Sequence, residues 1–204
     1  MPFRRLRKAS SFLAGQSTFL EELMAAGRGV FALLVGDKKA GAYFDFSRRG
    51  LYGSFVALAL VIALNAALPV MLSSDHDPIL VSVIQLVIAY VAQVGLIAVA
   101  LRQTKRFDAL VPFVIGYNWL NFFVALIVGA FLAAGVGGGG VLLVVAVIAA
   151  LVVEVNLGRI VMTLAPLQIA AFLVAQIVGI CIAAVILLLI FPPSPDALAQ
   201  LTGS

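Results

Sequence analysis

Hydrophobic and polar positions along this chain alternate on the scale of membrane spans. No charged residue occurs between Arg49 and Asp75, nor between Asp77 and Arg102. Each gap exceeds the roughly 20 apolar residues that carry a helix across hydrocarbon about 30 Å thick. From Ala109 to Val153 the chain is again uncharged, long enough for two spans, with "GVGGGG" (Gly135 to Gly140) as the break between them. A last uncharged run begins at Ile160 and closes on "PPSP", which stops a helix. The pattern predicts an all-α integral membrane protein with five spans at about 50–72, 79–101, 110–134, 141–162 and 166–191. Residues 193–204 form a short tail.

The segment ahead of the first span, residues 1–47, follows a different period. Phe19, Leu20, Leu23, Met24, Val30, Phe31 and Leu34 recur at helical spacing, and Thr18 with Glu21 has the spacing of a capping box. With Arg28, Lys38 and Lys39 nearby, the segment is expected to be an amphipathic helix or helix pair. Two placements are open: flat on the inner leaflet, or packed on the ends of the spans. Gly27 and Gly29 are expected to interrupt it, and Gly36 to begin the connection to the first span.

Charge sets orientation. Arg4, Arg5, Arg7, Lys8, Arg28, Lys38, Lys39, Arg48 and Arg49 precede span one, Arg102, Lys105 and Arg106 follow span two, and Arg159 ends span four. With five spans all 13 basic residues share one side, which predicts a cytoplasmic N-terminus and a C-terminus on the outer side. The basic amino terminus lacks an apolar core of signal-peptide length before Glu21, so no cleaved signal is expected. Short loops point to a bacterial inner membrane. The net charge of +4 does not imply nucleic acid, because the basic residues flank apolar spans rather than a polar face with interleaved aromatics. The expected partners are the bilayer and other membrane subunits, or further copies of the chain.

Little in this composition supports chemistry. One cysteine, Cys181, and one histidine, His76, exclude an intrachain disulfide, a CxxC motif and any His-based multi-ligand metal site. His76 between Asp75 and Asp77 reads as a solvated loop. No Ser-His-Asp, Cys-His or two-carboxylate set is evident, and no cofactor is expected. The exception to the apolar pattern is "VVEVNLGRIV" (152–161), which puts Glu154 inside span four.

With Arg159 as an anchor at the cytoplasmic interface, Glu154 lies five residues deeper, about 7 Å along the axis. Five residues rotate the side chain off the face of Arg159, so another helix has to supply its donor. Tyr117, Asn118, Gln93 and Gln168 fall at comparable depth and form the candidate polar cluster around Glu154. Asn65 and Gln85, nearer the outer side, are expected to make an interhelical contact. Two roles are open to the cluster: a carboxyl that fixes helix register, or a proton- or cation-coupled transport site. Ala57, Ala63, Gly95, Gly129, Ala150, Ala170 and Gly179 would let helices pack closely.

Two short segments carry a family resemblance. "GLYGSF" (Gly50 to Phe55) resembles the "DLYGP" signature of the Yip family of five-span Golgi and vesicle membrane proteins, matching at Leu51, Tyr52 and Gly53. "VIGYNW" (Val114 to Trp119) resembles that family's "YGY", matching at Gly116 and Tyr117. Gly50, Ser54 and Ile115 depart from the family's residues. The resemblance implies a non-enzymatic protein that organises membranes or recruits partners. The leading expectation is therefore a membrane organiser or an accessory or assembly subunit, and the second is a small oligomeric transporter or channel using Glu154.

Overall fold

The structure, a computed structural model, describes residues 18–72, 78–135 and 139–192. The described residues form helices and no strands. A first helix, α1 (Phe19–Leu34), precedes five helices long and apolar enough to cross a membrane: α2 (Arg48–Leu72), α3 (Ile79–Gln103), α4 (Leu110–Ala133), α5 (Gly139–Asn156) and α6 (Pro166–Ile190). In lipid each span has to satisfy its backbone internally, and an uncharged apolar run does so only as a helix. The loop around His76 and the centre of the glycine run, 136–138, lie outside the described residues, as do the four basic residues before Phe19.

The nine described Lys and Arg residues gather at one end of the bundle, here called the basic end. Arg106 ties two connections together there. Its guanidinium donates to the carbonyl oxygens of Met162 and Thr163 and to Thr163 Oγ1, and it pairs with Asp108 at 3.3 Å. It thereby joins the α3–α4 loop to the turn that follows α5. That turn is a widened π segment, Leu157–Val161, in which Met162 N–H reaches back to the Leu157 carbonyl.

The most extensive helix pairs are α3 with α6 and α2 with α4, while α5 packs on α4 and α1. Gly179 seats α6 on the backbone of α3: a Cβ there would lie 2.9 Å from Gln93 Cα. Gly95 makes no such contact, since nothing lies within 4 Å of its Cβ position.

Helix α1 starts in the expected capping box, with Thr18 Oγ1 accepting from Glu21 N–H and Glu21 accepting from Thr18 N–H. It then runs unbroken through Gly27 and Gly29, contrary to the expected interruption. The two glycines are contact points. The Phe123 ring lies over Gly27, and a Cβ at Gly29 would come within 2.6 Å of the Phe44 ring. The helix ends where Gly36, at φ 73°, completes a pair of closing hydrogen bonds, Gly36 N–H to Leu33 O and Asp37 N–H to Ala32 O.

A buried polar network near the basic end is the candidate functional site

Span α4 buries every residue from Phe113 to Leu120, and this stretch organises the polar groups around it. Asn118 has no exposed surface. Its Oδ1 accepts from Tyr90 Oη of α3 at 2.9 Å, and its Nδ2 donates to Ser54 Oγ of α2 at 3.2 Å. Ser54 in turn donates to the Leu51 carbonyl at 2.8 Å. The chain of donors runs one way through three helices, and an interhelical bond in this setting contributes about 0.6–2 kcal/mol. Beside it, Tyr117 donates its hydroxyl to Gln93 Oε1, and its ring stacks on Phe113.

Glu154 is 5% exposed and finds its donor on α6: Gln176 Nε2 lies 2.8 Å from Glu154 Oε1. No cation meets the carboxyl, since the single ion pair among the described residues is Arg106 with Asp108. Gln176 Oε1 is buried without a hydrogen-bond partner among those residues. The pair sits beside the close α3–α6 contact, because Gly179 on Gln93 is one turn along α6 from Gln176.

The residues expected around Glu154 separate into distinct contacts. Gln93 and Tyr117 bond to each other, and Asn118 bonds to Tyr90 and Ser54. Gln168 does not reach the interior: it is the third residue of α6, where its Oε1 accepts from Ala165 N–H and its Nε2 lies 3.4 Å from the Thr104 carbonyl. A glutamine at that position reaches back to cap its own helix. Asn65 also turns inward on itself, donating to the Val61 carbonyl one turn earlier rather than to α3. Gln85 is half-buried. Arg159 is exposed beside Gly36, its guanidinium 3.8 Å from that residue's Cβ position.

Gln176, Ser54 and Tyr90 were not anticipated. Gln176 had one available signal: an amide ten residues beyond Pro166, in a span with no charge, has to find a polar partner at depth. The two segments of family resemblance meet here, since Ser54 of "GLYGSF" bonds Asn118 of "VIGYNW".

A second carboxylate belongs to the same end. Glu22 of α1 lies flat on Gly53, where a Cβ would stand 2.6 Å from Glu22 Cδ, and Glu22 Oε1 is buried without a partner among the described residues. Burial, with a smaller contribution from Asp45, raises the Glu22 carboxyl above its ordinary range against the opposing pull of Arg49. Asp45 is held below its own range, chiefly by the backbone and hydroxyl of Ser47. Among the described residues no three His, Cys, Asp or Glu side chains assemble into a metal-binding group. Comparison with protein-family models, curated proteins and solved structures finds no match to this chain.

Proposed function

We propose that this chain is a non-enzymatic protein of a bacterial inner membrane, with a cytoplasmic N-terminus and an outer C-terminus. In this reading it organises the bilayer, alone or as an accessory subunit of a larger membrane complex. The observation that carries the reading is the two-faced packing of α1. Ala26, Gly29 and Leu33 are buried against the bundle, whereas Leu20, Met24, Phe31 and Val35 are 51–65% exposed on the opposite side, with Arg28 among them.

A helix fixed at the basic end with apolar side chains pointing away from the protein lies in the boundary between headgroups and acyl chains. It adds area to one leaflet and none to the other. The bonds that Ser54, Gln93, Asn118 and Glu154 each make to another helix support the same reading.

The test is reconstitution into large vesicles of phosphatidylethanolamine and phosphatidylglycerol, followed by electron cryomicroscopy of vesicle shape. The native chain is expected to narrow or tubulate vesicles, and a Leu20→Ser/Phe31→Ser variant to leave them round. Identical vesicles from both proteins would reject the reading.

A second reading rests on Glu154. A buried carboxyl without a cationic partner, beside an amide oxygen without a donor, also suits an ion or proton site of a small oligomeric transporter. Proton or cation flux that is present in the native protein and lost in Glu154→Gln would favour it.

A further inference from the structure

Two cavities adjoin among the spans, neither lined by Glu154 or Gln176. The first, of 180 Å³, lies among α2, α3 and α4, and its polar lining is Asn65, Tyr90, Gln93, Tyr117 and Asn121. The second, of 280 Å³, lies among α2, α4 and α5 and is walled mostly by apolar side chains such as Val124, Val128, Leu143 and Val147. They share Val61, Asn65 and Asn121 as a common wall. Leu143 and Val147 are 53% and 57% exposed, so the apolar cavity opens sideways toward lipid.

Both asparagines at the junction have spare bonding capacity. Asn65 Nδ2 donates to Val61 O at 3.0 Å and Asn121 Nδ2 to Tyr117 O at 2.8 Å. Among the described residues no hydrogen bond reaches either Oδ1, and each amide retains a second N–H. An amide group left unpaired in hydrocarbon costs several kcal/mol. The first cavity exceeds many times the roughly 10–15 Å³ that one water needs.

We propose that the two cavities form one binding site for a neutral lipid with a hydroxyl head. The hydroxyl donates to Asn65 or Asn121 Oδ1 and accepts from the remaining amide N–H, and the acyl chain leaves through the apolar cavity past α5. Depth and charge select the class. Asn121 stands 11 residues from the nearer end of α4 and Asn65 7 residues from the nearer end of α2, or about 17 and 10 Å along their helices. No Asp, Glu, Lys, Arg or His lines either cavity. A phosphate at that depth, without a cation, would carry the full cost of burying a charge, whereas a diacylglycerol-type head needs only the bonds the two amides offer.

The full chain in phosphatidylcholine nanodiscs would be irradiated with a photoactivatable diacylglycerol, and separately with a photoactivatable phosphatidylcholine of the same acyl chains. Crosslinks would then be mapped by mass spectrometry. The diacylglycerol probe is expected to label peptides around 61–65, 121–128 and 143–150 saturably and to be displaced by unlabelled diacylglycerol. The phosphatidylcholine probe is expected to label exposed α6 without saturation.

In Asn65→Leu/Asn121→Leu the saturable labelling should fall about tenfold or more, the loss expected from two interhelical-type bonds. Val61→Phe, which fills the shared wall with an apolar ring, should do the same and serves if the double variant does not fold. Equal labelling by both probes, or saturable labelling unchanged in a folded variant, would overturn the proposal and leave water as the occupant.

Discussion

Replacing Asn118 by leucine keeps the γ-branched shape of a fully buried side chain, enlarges it, and removes two hydrogen bonds at once, to Tyr90 and to Ser54. At about 0.6–2 kcal/mol for each bond, the lost bonds cost about 1–4 kcal/mol, and overpacking adds about 1–3 kcal/mol to that. Ser54 also donates to the Leu51 carbonyl, so Ser54→Ala should cost the Asn118 bond, about 0.6–2 kcal/mol, together with that local bond. The informative quantity is the coupling. Once Asn118 is leucine the Ser54 hydroxyl has lost its interhelical partner, and the double variant should be less destabilised than the sum of the singles by about 0.6–2 kcal/mol. Reversible unfolding in mixed micelles measures all four proteins. Additivity within about 0.3 kcal/mol would show that α2 and α4 are not joined by this bond and would refute the network as drawn.

Three other outcomes follow from particular contacts. Gly29→Leu should detach α1, because even a Cβ would press to 2.6 Å from the Phe44 ring; overpacking of about 1–3 kcal/mol should appear as faster hydrogen exchange at Ala26 to Leu33, with the five spans unchanged. Lys105→Gly should raise stability by about 1 kcal/mol in thermal unfolding, since Lys105 holds φ 59° at the end of α3, where glycine carries no steric penalty. Because the Glu22 carboxyl is raised in the folded protein, its contribution to α1 docking is present at low pH and is lost as pH rises through its folded value. Protection of α1 should therefore weaken with rising pH in the native chain and stay level in Glu22→Gln. Asp45, held low, acts in the opposite sense, losing its contribution only as pH falls through its folded value in the more acidic range.

The five spans were legible from the spacing of charged residues along the chain, and their observed bounds stand within a few residues of those expected. Lipid leaves a long apolar segment no alternative to a helix, so local sequence decides it. The gathering of the described basic residues at one end is legible for a related reason: the loops that carry them are separated by an even number of spans, and Arg106 joins two of those loops. The capping box at Thr18 was readable because its partners are three residues apart.

Pairings across helices were not legible in the same way. Sequence position gives the depth of a polar residue but neither its direction around the helix nor its neighbour. Gln168 and Gln176 illustrate the limit: both are glutamines on one span, yet the first caps its own helix and the second reaches Glu154. Gly27 and Gly29 look like breaks when read locally and prove to be the surfaces on which Phe123 and Phe44 pack, a fact that depends on residues far along the chain. Sequence by itself therefore determined the five long helices and the end of the bundle at which the described basic residues gather, because those depend on the solvent each segment meets. Only the tertiary structure decided that α1 docks on the bundle, that Ser54 meets Asn118 and that Glu154 meets Gln176, because those depend on how helices already formed rotate and settle against one another.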